Sequence, residues 1–258
     1  MIPYGRQDIS KEDINAVVKV LKSDYLTQGP VTPLFEEEVK KYCGAKFSFA
    51  YNSATSALHA ACFSLGLGKG DYVWTSANTF AASANCALYC DAKVDFVDID
   101  PDTYNLCINS LKKKLVQAKK VGKLPKVVIP VHLAGQSCNM KDIYSLSKKY
   151  KFKIIEDASH AIGGKYLSKK IGDCKYSNIT VFSFHPVKII TTGEGGIATT
   201  NDKKIAEKLD MFRTHGITKN EKKLLNKKEG PWFYEQQYLG FNYRMTDIHA
   251  AIGLSQMK

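Results

Sequence analysis

The sequence lacks long apolar runs, paired cysteines and a secretion signal. No stretch approaches the roughly 18 uninterrupted apolar residues of a membrane span, so no membrane association is expected. The seven cysteines are odd in number, scattered and never spaced C-x-x-C, which favours reduced thiols packed as small hydrophobic side chains. Charged and polar residues occur within positions 1–8, before any apolar run, unlike a signal peptide. A cytoplasmic protein is therefore expected.

Arginine is scarce although the chain is basic. The formal net charge is +12, but the excess is almost all lysine, and only Arg6, Arg213 and Arg244 occur. Clustered arginines with interleaved aromatics, which are typical of a nucleic-acid-binding surface, are missing, so no nucleic-acid partner is expected. Each arginine either presents its bidentate fork to a ligand or forms a structural ion pair, and the sequence leaves both interpretations open.

The composition that is present suits one large α/β domain. The chain has 258 residues, of which 44% are hydrophobic, enough for a single large core. Short β-prone runs alternate with helical segments, a pattern typical of a mainly parallel sheet flanked by crossover helices. The seven predicted strands are 46–51, 72–75, 94–97, 127–131, 154–156, 179–184 and 196–199. One predicted helix starts near residue 10. The other predicted helices cover 33–43, 54–67, 80–90, 140–149 and 246–258. The charged stretch 218–230 is predicted to be a mobile surface loop.

The most informative residues are a lysine and an aspartate. Lys188 closes the segment 182–188 (FSFHPVK) ahead of a glycine-rich turn, and Asp157 ends a strand-like run 31 positions earlier. The lysine amine can form a Schiff base with the aldehyde of pyridoxal 5′-phosphate (PLP), and the carboxylate can keep the pyridine nitrogen protonated. The segment 52–58 (NSATSAL) follows a strand and opens a helix, which suits either a phosphate or an ordinary N-cap. Combined with Lys188 and Asp157, the phosphate interpretation is favoured.

These segments, together with 157–161 (DASHA) and 239–248 (LGFNYRMTDI), resemble the DegT/DnrJ/EryC1/StrS family of sugar-nucleotide aminotransferases over essentially the whole chain. The resemblance implies the large domain of PLP-dependent transferase fold type I, as in aspartate aminotransferase, with a mainly parallel seven-stranded sheet. It also implies an isologous homodimer with shared sites. Residues 1–258 are then an N-terminal segment plus the PLP-binding large domain. A smaller C-terminal domain, which family members carry, is expected to be missing.

The resemblance assigns a role to each site residue. Lys188 is the catalytic residue, and the cofactor contacts involve no metal. By this resemblance, Phe80 stacks on the pyridine ring of PLP, although a lone phenylalanine at a helix start is usually a core residue. The family places His160 near the phenolic oxygen of the cofactor. That His160 is an ordinary core histidine is a nearly equal alternative. The implied cofactor-binding residues are Ala54, Thr55, Phe80, Asp157, His160, Ser183, Lys188 and, across the dimer, Asn242.

The finer resemblance is to the branch that aminates C4 of a UDP-linked 4-keto-6-deoxy-N-acetylhexosamine, with glutamate as donor, on the route to pseudaminic acid. The segment 229–237 (EGPWFYEQQ) is its most specific feature. By the same resemblance, the sugar nucleotide is held by Tyr4, Asp24, Tyr25, Leu26 and Thr27. Two alternatives stay open: an aminotransferase for another 4-keto or 3-keto sugar, and a non-catalytic PLP-binding or regulatory module. Lys188 argues against a related sugar dehydratase, in which histidine replaces the lysine.

Overall fold

The computed structural model describes residues 5–226 and 229–258. Its central element is a seven-stranded sheet, accompanied by two small two-stranded hairpins. The strands are β1 (Phe47–Tyr51), β2 (Tyr72–Ser76), β3 (Lys93–Val97), β4 (Val127–Ile129), β5 (Lys153–Asp157), β6 (Lys165–Tyr166), β7 (Lys169–Lys170), β8 (Ile179–Ser183), β9 (Gly196–Thr200), β10 (Ile217–Thr218) and β11 (Glu235–Gln236).

The main sheet has the strand order β1-β9-β8-β5-β4-β2-β3. Strands β8, β5, β4, β2 and β3 pair in parallel, whereas β9 is antiparallel to both β8 and β1. All seven predicted runs fall on these strands, so the predicted mainly parallel sheet is confirmed. Every residue of β8 and β9 is buried, as expected for central strands covered on both faces.

Eight α-helices connect and flank the strands among the described residues. They are α1 (Lys11–Leu21), α2 (Val31–Cys43), α3 (Ala54–Ser64), α4 (Ala82–Leu88), α5 (Ile108–Lys120), α6 (Met140–Tyr150), α7 (Lys203–Phe212) and α8 (Asp247–Gln256). Helix α1 begins with a capping box, in which Ser10 and Asp13 are reciprocal partners. Helix α2 ends at Gly44 with φ of 78°, the left-handed conformation that glycine adopts without strain. None of these helices is both long and apolar enough to cross a membrane.

The stretch 218–230, which the sequence predicts to be a mobile surface loop, contains short elements of regular structure. Ile217–Thr218 pairs antiparallel with Glu235–Gln236, and Glu221–Lys223 forms a short 3₁₀ turn. Glu235 explains part of this order, because its carboxylate accepts hydrogen bonds from the backbone of Leu225 and Asn226. Parts of this charged stretch, at Thr218 and at Leu225 and Asn226, are thus held by backbone pairing and by one carboxylate.

Hydrophobic packing covers both faces of the sheet and fixes the helices that surround the site. On one face, α3 and α7 pack Leu58 and Leu209 against strand residues. On the other face, α2 and α8 pack Phe35 and Ala250 against β8 and β9. Arg213 belongs to this framework: its guanidinium pairs with Glu36 and, at 2.7 Å, with Asp210. For this arginine the structural interpretation holds.

Candidate active site

A cleft of about 880 Å³ opens where the parallel strands end. The start of α3, the segment after β2, the end of β5 and the loop between β8 and β9 all reach it. Since the carboxyl ends of parallel strands share one edge of a sheet, residues far apart in sequence meet there. The predicted site residues that line the cleft are Ala54, Thr55, Phe80, Asp157, His160, Ser183 and Lys188.

Asp157 is fixed by hydrogen bonds at the base of this cleft. The residue ends β5 and is 3% exposed. Its Oδ1 accepts from the Ser159 amide at 3.1 Å and from the Ser159 hydroxyl at 2.6 Å, and its Oδ2 accepts from the Ser83 hydroxyl at 2.6 Å. A carboxylate held by three donors carries a stabilised negative charge in a fixed plane.

Lys188 lies on the loop that joins the antiparallel strands β8 and β9. Ser183 pairs with Gly196 where the loop leaves and re-enters the sheet, and the Lys188 amide donates to the His185 carbonyl at 2.8 Å. Partial burial lowers the pKa of Lys188 below its ordinary value, and the nearby Asp157 charge raises it by a smaller amount. A larger fraction of the amine is therefore neutral at neutral pH, as a nucleophile or base requires.

The start of α3 combines a helix cap with an open N-terminus. The Ser53 hydroxyl accepts from the Ser56 amide at 3.1 Å, so the N-cap interpretation of this segment is correct. The same helix start lines the cleft, where its first amides and the positive end of the helix dipole suit an anion. A Cβ at Gly196 would lie 2.5 Å from the Ala54 nitrogen, so the close approach of β9 to α3 requires glycine at this position.

Phe80 is not a core residue. Its side chain is 78% exposed although it lines the cleft. A large, exposed aromatic face inside a cleft offers a flat ligand an apolar stacking surface.

His160 also borders the cleft and is held as a neutral ring. Its Nδ1 accepts from the Ala134 amide at 3.2 Å, which leaves the proton on Nε2. Burial, followed by the Lys188 charge, lowers the pKa of His160, and Asp157 raises it by less. A neutral Nε2–H group can donate to an oxygen atom of a ligand.

Several functional residues were missed by sequence reasoning. Ser83 and Ser159 hold Asp157, and buried His132 lines the cleft, where its Nε2 lies 2.8 Å from Glu156 Oε2. Ser159 lies two positions after Asp157, so its hydrogen bonds to the Asp157 carboxylate could have been predicted as an Asx turn. Ser83 carried no such signal, because it meets Asp157 only through the tertiary fold.

Other predicted residues lie away from this cleft. Asp24, Tyr25, Leu26 and Thr27 are exposed, and Thr27 bridges to Thr246 at the start of α8. Asn242 is exposed and bridges to Thr214. Their predicted roles in substrate binding and across a dimer stay predictions. Tyr4 lies outside the described residues.

The residues in the cleft fit PLP. The α3 N-terminus suits its phosphate, Phe80 its ring face, Asp157 its pyridine nitrogen and Lys188 its aldehyde. The close approach of Gly196 to Ala54 lets β9 pack directly against the start of α3.

Comparison with known proteins supports the same interpretation. Residues 7–258 match the DegT/DnrJ/EryC1/StrS aminotransferase family model. A Campylobacter jejuni protein named UDP-4-amino-4,6-dideoxy-N-acetyl-beta-L-altrosamine transaminase is 42% identical over 259 residues, covering 100% of this chain and 64% of that protein. The chain thus spans 64% of the length of this curated relative.

Solved structures agree with the sequence comparison. Helicobacter pylori PseC, described as an aminotransferase involved in the biosynthesis of pseudoaminic acid, superposes with a TM-score of 0.88 at 34% identity, over 98% of this chain and 64% of that one. The putative sugar aminotransferase Spr1654 from Streptococcus pneumoniae matches at 30% identity over 99% of this chain. Its PMP-form has a TM-score of 0.88 over 67% of that chain, and its PLP-form has 0.86 over 66%.

Proposed function

This chain belongs to the DegT/DnrJ/EryC1/StrS aminotransferase family, and we propose that it moves the amino group of glutamate to C4 of a UDP-linked 4-keto-6-deoxy-N-acetylhexosamine. Its cofactor is pyridoxal 5′-phosphate. The observation that carries the proposal is the convergence of Lys188, Asp157, Phe80 and the α3 N-terminus on one cleft. When bound, PLP supplies an electron-accepting ring and a carbon that holds the transferred nitrogen.

Lys188 has two tasks in the proposed reaction. Its amine would hold the cofactor at the aldehyde carbon. When free, the same amine would accept and donate the proton at the donor's α-carbon. Both tasks need a neutral amine, which the lowered pKa of Lys188 favours.

Asp157 stabilises positive charge at the ring nitrogen. Opposite charges about 4 Å apart at an effective dielectric near 20 attract by about 4 kcal/mol, enough to keep that nitrogen protonated at neutral pH. Because Asp157 is 3% exposed, water screens this attraction little. His160 also lines the cleft, and its Nε2–H group would donate to the ring oxygen.

The proposed substrate rests on similarity and on surface position. The name of the C. jejuni relative supports a UDP-linked sugar, and the description of PseC supports a role in pseudaminic acid biosynthesis. Asp24 to Thr27 would hold the substrate by their resemblance to the family. We further propose that residues 1–258 comprise an N-terminal segment and the cofactor-binding large domain. The exposed position of Asn242 is compatible with contact to the cofactor phosphate of a second subunit, so a homodimer is part of the proposal.

A substrate panel tests the function. The purified protein, loaded with PLP, is offered glutamate and a set of nucleotide-linked 4-keto and 3-keto sugars, and the products are identified by NMR. A Lys188→Met variant defines the background rate. We expect amination at C4 of the UDP-linked N-acetyl sugar, with no product from the variant.

The other outcomes separate the alternatives. Preference for a 3-keto sugar or for another nucleotide would reject the substrate and leave the aminotransferase. Tight PLP binding without turnover of any sugar, and without conversion of glutamate to 2-oxoglutarate, would favour a non-catalytic binding module.

A further inference from the structure

The hydrogen bonds around Asp157 extend one residue further than the carboxylate's own partners. The Ser83 and Thr79 hydroxyl oxygens lie 2.8 Å apart. Ser83 is 0% exposed and sits in the first turn of α4, three positions beyond Phe80. Thr79, Ser83 and Asp157 therefore form a continuous chain from the cleft wall to the carboxylate.

The donor and acceptor roles in this chain have one solution while Asp157 is ionised. A carboxylate only accepts, so Ser83 must donate its single hydroxyl proton to Asp157 Oδ2. Ser83 then has only lone pairs left to offer, and Thr79 must donate to it. The charge on Asp157 thus sets the direction of both hydrogen bonds, and neither the Thr79 nor the Ser83 hydroxyl group can rotate without breaking one of them.

We propose that Thr79 and Ser83 form a hydroxyl relay that orients the Asp157 carboxylate and holds its charge toward the ring nitrogen of the cofactor. Ser83 is a positioning residue in this role, since it acts through Asp157. The inference rests on the proposed function, because it requires PLP in the cleft.

The number of acceptor sites on the carboxylate supports this role. An ionised carboxylate offers about four lone-pair sites, and the described residues fill three: two on Oδ1 from Ser159 and one on Oδ2 from Ser83. Within 5–226 and 229–258 no further donor reaches Oδ2, so its second site can accept the N–H of a protonated pyridine. Donors to the negative form keep the shared proton on the ring nitrogen, because they stabilise the carboxylate more than the carboxylic acid.

The relay also joins two parts of the site that act on the same ring. Thr79 immediately precedes Phe80, which lines the cleft, and Ser83 follows four positions after Thr79 in the first turn of α4. The stacking residue and the carboxylate are therefore set by one segment. A substitution that releases Thr79 disturbs both contacts to the ring.

The test uses the PLP-loaded protein with ¹⁵N at the ring nitrogen. The ¹⁵N resonance reports where the shared proton lies, and a titration gives the dissociation constant of PLP. The variants are Ser83→Ala, Thr79→Val and, as a matched control, Ser64→Ala. Ser64 is also a buried serine, and its hydroxyl has no partner among the described residues.

We expect Ser83→Ala to move the ¹⁵N resonance toward that of neutral pyridine and to weaken PLP binding about tenfold, which corresponds to one charge-assisted hydrogen bond. Thr79→Val should shift both in the same direction by less, because Ser83 still reaches Asp157. Ser83→Thr, which restores a hydroxyl, should recover the resonance. Ser64→Ala should change neither quantity.

Two results would overturn the relay. One is a Ser83→Ala protein whose resonance matches that of Ser64→Ala, even if PLP binds more weakly, since Ser83 would then only fill space. If Ser83→Ala does not fold, the second is an unmoved resonance in Thr79→Val. A failure of the unsubstituted protein to bind PLP is a different outcome, because it rejects the proposed function first and the relay with it.

Discussion

Acid should destabilise this protein through His59, a histidine buried inside an aromatic cluster. The ring is 5% exposed on α3, and its centroid lies 5.0 to 5.9 Å from the ring centroids of Tyr89, Phe212, Phe241 and Tyr243. Its Nδ1 lies 3.1 Å from the Tyr243 hydroxyl. Burial among these rings lowers the pKa of His59 to about 4, from an ordinary value of 6.5.

The sign and size of the effect follow from that difference. The unfolded chain takes up a proton near pH 6.5, whereas the folded chain resists it until about pH 4, so stability falls as the pH falls between these values. Each unit of difference between the unfolded and folded pKa values is worth about 1.36 kcal/mol, so full protonation of His59 would lower the free energy of unfolding by about 3 kcal/mol. About 2 kcal/mol of it is lost between pH 7 and pH 5.

Urea unfolding at pH 7 and pH 5, with linear extrapolation to water, measures this loss. His59→Gln keeps a partner for Tyr243 but does not titrate, so its loss should be about 2 kcal/mol smaller than that of the unsubstituted protein. His215→Asn is the control, because His215 is exposed and its φ of 63° suits asparagine. Equal losses in the His59→Gln and unsubstituted proteins would refute the reasoning.

Three further predictions concern the site. Borohydride reduction of the PLP-loaded protein, followed by peptide mapping, should place the cofactor on Lys188, and a label on any other lysine would reject that assignment. Asp157→Asn should fold normally by circular dichroism and lose about a thousandfold in turnover, the equivalent of about 4 kcal/mol. Near-normal turnover would contradict its role. Gly196→Ala should lower stability by about 1–3 kcal/mol and weaken PLP binding, since the new Cβ meets Ala54. Gly68→Ala, where a Cβ has open space, should do neither.

Most of the fold could be read from the sequence. The seven sheet strands were predictable because β-branched and aromatic residues cluster where a strand is buried on both faces, as in β8. Helix α7 was missed although its signals were legible: Asp202 caps it, and Ile205 and Leu209 are its buried face. Helix α5 was harder to place, because Cys107 at its start provides no side-chain cap.

The site residues that could be predicted from the sequence are those whose residue type and position suit one part of the cofactor. Asp157 ends β5, and Ala54 and Lys188 follow the ends of β1 and β8 within five residues. The carboxyl ends of parallel strands share one edge of a sheet, where these residues line one cleft. Ser83 could not be foreseen, since it lies 74 positions from the carboxylate that it contacts. The exposed position of residues 24–27 could not be foreseen either, because it depends on how that segment packs beside α8.

The pairing of β1 with β9 sets the order in which a newly synthesised chain can mature. Strand β1 ends at Tyr51, yet its partner in the sheet begins at Gly196, so the first strand leaves the ribosome long before its neighbour exists. The packing of β9 against the start of α3 waits for the same event, because it forms where Gly196 meets Ala54. A nascent chain that stalls before residue 196 therefore exposes an unpaired strand edge, and the start of α3, where the proposed cofactor phosphate would bind, lacks its packing partner.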